Sequence, residues 1–431
     1  MTDRAIAPAL EALTENGFPV GFTAYDGSSA GPTGSEFTLD LRTERGLAYL
    51  LTAPGDLGLA RAYVTGDLVI EGAHPGDPYP ALEHLLDRLR FRRPTAAEVV
   101  TIVRVAGLGQ LRPPAPPPQE RTPRWRRTID GVRHSMGRDA AAISHHYDVS
   151  NAFYELVLGP SMTYTCAVYP DAQASLEQAQ FEKYDLICRK LELKPGQRLL
   201  DVGCGWGGMV RHAAREYGVK VLGVTLSAKQ AGWAQAAIER EGLTRLATVR
   251  HSDYRDVVES SFDAVSSIGL TEHIGVRNYP EYFSFLRERL VPEGRLLNHC
   301  ITRPHNGRLE TGPFIDRYVF PDGELIGSGR IIADAQDAGF EVQHSENLRA
   351  HYAMTLRDWC RNLVANWDAC VGEVGEATAR VWGLYLAGSR LGFERNTVQL
   401  HHVLGTVTDP QGSSGYPLRP VFERATEASD R

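Results

Sequence analysis

The stretch RLLDVGCGWGGMV, residues 198–210, constrains this chain more than any other. An apolar run ends at Asp201 and Val202, four glycines follow within residues 203–208, and helix-favouring residues come next. That order reads as strand, tight turn, helix. The same alternation continues on both sides. EQAQFEKYDLICRKLEL, MVRHAAREYG, AKQAGWAQAAIEREG and YPEYFSFLRERL have the spacing of amphipathic helices, while RLLDV, VKVLGVT, ATVRHSD, FDAVSSIG and GRLLNHCIT read as strands. Near-continuous apolar strands separated by helices predict an α/β fold, a doubly wound parallel sheet covered on both faces. Ligands on such a sheet bind at the carboxyl ends of the strands, beside the switch in strand order.

The glycine turn therefore stands where a ligand belongs. Its spacing is GxGxG, at Gly203, Gly205 and Gly207, rather than the GxGxxG of dinucleotide sites. The next strand ends in Thr225 and Leu226, without the acid that grips a dinucleotide ribose. With Asp201 just before the turn and Trp206 inside it, a ligand with an amino-acid tail fits better than a pyrophosphate, which favours S-adenosylmethionine. A glycine-rich turn can also serve chain geometry alone.

A second feature divides the chain. PPAPPP at 113–118 suits neither a helix nor a sheet interior and reads as an extended spacer. It sets a small N-terminal unit, 1–112, apart from a catalytic unit, 140–431, with a linker at 113–139. In the small unit, SEFTLDLRT, GLAYLLTAP and RAYVTGDLVIEG read as short strand-like runs and YPALEHLLDRLRF and TAAEVVTIVRVAGL as helices, an α+β arrangement. The linker concentrates Arg121, Arg124, Arg126, Arg127, Arg133 and Arg138 around Trp125, a mixture suited to an anionic lipid surface or to a solvated connector. The 431 residues carry a net charge of −7, so no overall field draws the protein to nucleic acid. The six cysteines lack metal-ligand spacing, no metal is expected, and MTDRAIAPALEALTENG has no apolar signal core. These features lead us to expect a cytoplasmic protein in which any membrane contact is peripheral, at the inner face.

Five segments in order, HHYDVSNAFYELVLGPSMTYTCAVYP, LLDVGCGWGG, GVTLSAKQ, HSDYRD and TEHIGVRNYPEYF, resemble the cyclopropane-fatty-acyl-phospholipid synthase family across roughly residues 140 to 402. The resemblance implies a class I S-adenosylmethionine-dependent methyltransferase with a mostly parallel seven-stranded sheet and a divergent N-terminal domain for membrane and partner contact. It implies cofactor contacts at Tyr164, Thr165, Asp201, Gly203, Gly205, Thr225, Leu226 and Gln230, with Asp253 and Tyr254 beside the adenine. It further implies catalytic positions at Cys166, Glu272, His299, Ile301 and Tyr352, with His273 adjoining, and a bound bicarbonate ion as base. Each position also has a plainer reading as packing. Cys166 alone is a small buried hydrophobe and is not proposed as a nucleophile. Glu272, at the end of an apolar strand, is the hardest to explain without a role.

The chemistry fits these residue types. Methylating an isolated cis alkene leaves a carbocation, which needs aromatic faces, exclusion of water and a base to take one proton. Ring closure gives a cyclopropane; a prior hydride shift gives a methylene branch. Thr271 stands before Glu272 where cyclopropane-forming members tend to carry an aromatic residue. SSIGLTEHIGV and LLNHCITRP look closest to the actinobacterial branch that methylates oleoyl phospholipids toward tuberculostearic acid, with a flavin-dependent reductase as partner. The expected product is therefore the methylene-branched chain, with cyclopropane as the alternative, and an oligomer is expected. A methyltransferase for a soluble substrate and a non-catalytic lipid-binding or partner-binding subunit are the rival classes. The second would be expected to have lost some of Glu272, His299 and Tyr352.

Overall fold

The structure, a computed structural model, describes residues 5–86, 88–120, 149–307, 312–320 and 323–423. The arginine cluster at 121–138 and Trp125 lie outside the described residues. The chain divides into two compact units, one from Met1–Arg127, Gly312–Pro321 and Leu356–Leu391, the other from Thr128–Thr311, Asp322–Thr355 and Gly392–Arg431.

The first unit holds a four-stranded sheet of β1 (Gly21–Ala24), β2 (Ser29–Ala30), β3 (Thr38–Leu41) and β4 (Leu68–Glu71), in the order β2-β1-β3-β4. It is α+β, as expected, but GLAYLLTAP is not a strand. Residues Glu44–Thr52 form a helix, capped where the Thr43 hydroxyl accepts the Gly46 amide at 3.1 Å. Leu47, Ala48 and Tyr49 are buried along it, and a short apolar run satisfies either periodicity until a cap decides it. RAYVTGDLVIEG is likewise a helix end, up to Val64, followed by β4.

The bounds expected for the catalytic unit, 140–431, also need correction, because two later segments belong to the first unit. Buried Glu120 holds Arg61 and Arg317 at 2.5 Å each, which ties residues 312–320 to this core. Leu384 packs against the core of Phe22, Leu39 and Leu47, and Ala387 and Leu391 pack against Tyr79. Trp359 and Trp382 are buried in the same unit.

The second unit is built on seven strands: β5 (Arg198–Val202), β6 (Lys220–Thr225), β7 (Ala247–His251), β8 (Phe262–Ile268), β9 (Leu290–Thr302), β10 (Glu341–Asn347) and β11 (Gln399–Thr406). Their order is β10-β11-β9-β8-β5-β6-β7. The pairs from β9 to β7 are parallel, and β11 is antiparallel to both β9 and β10. The alternation of β5 explains why the sheet is covered twice. Leu199 enters a core with Ile187, Val210 and Ile238, while Leu200 and Val202 enter another with Val265, Phe283 and Leu296. The order reverses at β5, whose neighbours β6 and β8 lie on opposite sides, so the crevice opens beyond its carboxyl end.

Candidate active site

At that end the chain must reverse into the helix Gly208–Tyr217. Gly203 and Gly205 have φ of +72° and +54°, a region that costs an L side chain roughly 1–2 kcal/mol. A Cβ on Gly203 would lie 3.2 Å from the Leu270 side chain, and one on Gly205 would project into open space. The turn thus presents bare backbone to a pocket.

The structure brings all ten expected cofactor residues to that one pocket. Asp201, Gly203 and Gly205 come from β5 and its turn, Thr225, Leu226 and Gln230 from the end of β6, Asp253 and Tyr254 from beyond β7, and Tyr164 and Thr165 from the segment before the sheet. Several of the side chains are held by a neighbour. Asp201 accepts the Ser266 hydroxyl at 2.6 Å, and burial pushes its carboxyl up to about 7. The Thr225 hydroxyl donates to Gln230 Oε1 at 2.8 Å. Asp253 accepts the Arg255 guanidinium at 2.8 and 2.6 Å, and the Tyr254 ring meets Tyr282 and Phe285 edge-on. Buried Lys183 donates to Thr165 Oγ1 at 2.9 Å, and burial brings its ammonium down to about 7. Sequence reasoning missed Arg255 and Leu270, which also line the pocket. Arg255 directly follows the Asp253–Tyr254 pair, the one signal that could have found it.

A second cluster begins where β8 ends. In the short helix Thr271–Ile274, His273 lines the pocket, while Glu272 is directed to β9 and accepts the Ile301 amide at 2.6 Å. Burial pushes the Glu272 carboxyl up to about 7. His299 precedes Ile301 by two positions on β9, so the two share a strand face. Its Nδ1 lies 2.8 Å from His402 Nε2. Burial, with the charges of Lys183 and Lys190, holds its imidazolium form well below the ordinary range. Among the described residues, Glu272 Oε2 and His299 Nε2 are buried with no hydrogen-bond partner. Thr271, fully buried, gives its hydroxyl to Asn298 Oδ1 at 2.6 Å.

Cys166 and Tyr352 share a contact at the Leu348 carbonyl. The Cys166 thiol lies 3.9 Å from it and donates to Ala167 O at 3.1 Å, and the Tyr352 amide donates to the same Leu348 oxygen at 3.2 Å. Burial pushes the Cys166 thiol up, so it stays protonated. The Tyr352 ring stands 4.4 Å from that of Phe393.

A seven-stranded sheet of this order, with a glycine-lined pocket at the ends of β5 and β6, defines a class I S-adenosylmethionine-dependent methyltransferase. The mycolic acid cyclopropane synthetase family matches residues 134–403, more than half of the chain, and the chain belongs to that family. It is 64% identical over 422 residues to a probable fatty acid methyltransferase of Mycobacterium tuberculosis, covering 97% of this chain and 98% of that one. It is 39% identical over 259 residues to the cyclopropane-fatty-acyl-phospholipid synthase of Escherichia coli, covering 60% and 66%. Among solved structures, the mycolic acid cyclopropane synthase CmaA1 complexed with SAH and CTAB superposes with a TM-score of 0.58 at 32% identity, covering 62% of this chain and 97% of that one.

Proposed function

We propose that this enzyme methylates the cis double bond of an oleoyl-type phospholipid acyl chain with S-adenosylmethionine, bicarbonate serving as base, and yields a methylene-branched chain en route to tuberculostearic acid. The observation that carries the reading is the pair of buried atoms without partners, Glu272 Oε2 and His299 Nε2. Leaving a buried polar atom unpaired costs about 1–3 kcal/mol, which a ligand recovers. An ion with one O–H and further acceptor oxygens fits a carboxylate beside a ring N–H. Glu272, fixed by the Ile301 amide, would take the O–H, and His299 would donate to an oxygen. The base is what the bicarbonate would supply.

The cofactor supplies an electrophilic methyl group on a cationic sulfur. The bare backbone at Gly203 and Gly205 admits its amino-acid end, and Asp253 and Tyr254 flank its adenosine end. Asp201, pushed up to about 7, ionises readily once a cationic group enters the pocket. Glu272 sits near neutrality, so it can hold a proton and release it within one turnover. The cofactor reading is supported by CmaA1, solved with SAH, and the substrate reading by the fatty acid methyltransferase relative. Thr271, spent on Asn298, offers no aromatic face beside Glu272, which favours the methylene product over ring closure.

Reaching an acyl chain requires contact with a membrane surface, which we place at the cytoplasmic face. No helix among the described residues is long and apolar enough to cross a membrane. Exposed Phe91, Val99 and Val100, set among exposed Arg90, Arg93 and Arg104, support peripheral binding to anionic lipid. A flavin-dependent reductase is the partner proposed to saturate the methylene group, and an oligomer is proposed for the enzyme itself.

The test is mass spectrometry of oleoyl phospholipid vesicles after incubation with the enzyme and methyl-labelled S-adenosylmethionine, followed by ozonolysis. Label in an ozone-sensitive branch is the expected result. Label in an ozone-resistant ring would make the product a cyclopropane, and no label would remove the lipid substrate.

A further inference from the structure

Behind His299 runs a line of buried groups that the reaction as described does not use. His299 Nδ1 is 2.8 Å from His402 Nε2, and His402 Nδ1 is 2.9 Å from Lys190 Nζ. Lys190 is paired in turn with Glu346. The Lys190 and His402 side chains are 1% and 0% exposed, and only Glu346, at 37%, reaches solvent. The four residues come from the helix Leu176–Lys190 and from β9, β10 and β11.

The line has a direction. Paired with the Glu346 carboxylate, Lys190 is an ammonium, which carries donors only. It therefore donates a hydrogen bond to His402 Nδ1, which must be the bare nitrogen of that ring. A neutral imidazole with bare Nδ1 carries its hydrogen on Nε2, so His402 donates to His299 Nδ1. His299 is then forced to carry its own hydrogen on Nε2, the atom left buried without a hydrogen-bond partner among the described residues. The reverse arrangement would set an N–H of His402 against the ammonium. It would also leave two acceptors, His299 Nε2 and Glu272 Oε2, where an anion has to bind.

We propose that Lys190 and His402 are positioning residues that lock His299 as the Nε2–H tautomer, with Glu346 holding the ammonium in register. The proposal rests on the site reading above, in which His299 donates to a bound anion. It concerns the orientation of a proton, as the carboxylate does for the histidine of a hydrolase triad.

The experiment uses full-length protein carrying 15N-histidine. The spectrum should show His299, assigned by its loss in His299→Gln, protonated at Nε2 and bare at Nδ1. His402→Leu should abolish that fixed tautomer and lower kcat about 10- to 100-fold, with the KM for S-adenosylmethionine unchanged. Because a glutamine carboxamide can accept from Lys190 and donate to His299, His402→Gln should recover both the tautomer and most of the lost kcat. That recovery separates positioning from mere packing. Nδ1-protonated His299 in the wild-type enzyme, or no recovery in a folded His402→Gln variant, would overturn the positioning role and leave the site reading standing. Wild-type kcat in His299→Gln would overturn the site reading, and the positioning role with it.

Discussion

The two halves of the site are built by different means. In the cofactor pocket the main chain does the shaping: Gly203 and Gly205 turn the backbone, and the polar side chains around them are held by near neighbours, as Thr225 is by Gln230 and Asp253 by Arg255. Around Glu272 the side chains do the shaping. Glu272, His299 and His402 come from segments more than a hundred residues apart at the extremes, all are buried, and two of their atoms are left without partners. The first half is a receptacle that is complete without its ligand. The second carries buried polar atoms that have no partner among the described residues, which is where chemistry, rather than affinity, is to be sought.

If that division is right, substitutions in the two halves should separate turnover from cofactor binding. The largest effect is expected from Glu272→Gln, which keeps the shape but cannot take a proton; kcat for methyl transfer to oleoyl phospholipid should fall by about 10²- to 10⁴-fold. The same substitution should change the pH dependence of stability. Burial raises the Glu272 carboxyl from 4.5 to about 7, so the fold prefers it neutral. Below pH 4.5 the carboxyl is protonated in both states and no penalty exists. As pH rises toward 7 the unfolded chain ionises and stability is lost, to a total on the order of 3 kcal/mol. Urea denaturation should show Glu272→Gln gaining on the wild type across that window and holding a constant advantage above it.

Substitutions in the pocket should act on affinity. Gly203→Ala forces a side chain into a left-handed turn and against Leu270, so cofactor affinity should fall by roughly tenfold while kcat at saturation changes little. The smallest effect is expected of Thr225→Val, which removes one buried neutral hydrogen bond to Gln230. About 1 kcal/mol, or roughly fivefold in cofactor affinity, should be lost in a calorimetric titration.

The same contrast governs what the sequence reveals. Periodicity marks β5, β6 and β8 because strands buried on both faces are continuously apolar, and the glycine turn locates the pocket by local geometry alone. GLAYLLTAP misleads because its apolar residues satisfy two periods, and the deciding contact is the hydroxyl of Thr43. β10, EVQHSEN, is polar and shows no alternation, yet it completes the sheet through its ladder with β11. Residues 356–391 join the first unit through packing of Leu384, Ala387 and Leu391, which no local pattern encodes. Lys190 reads as an ordinary last-turn lysine in ICRKLEL, and His402 as one of two histidines on an apolar strand. Only the approach of the helix Leu176–Lys190 to β11 shows what they do.

The most direct test of the division is the affinity of Glu272→Gln for S-adenosylmethionine, measured by calorimetric titration on the same preparation that has lost turnover. The account predicts a dissociation constant within about twofold of the wild type, a difference below about 0.5 kcal/mol. An affinity that falls in step with kcat would contradict it, because Glu272 would then be part of the receptacle rather than the group that handles the proton.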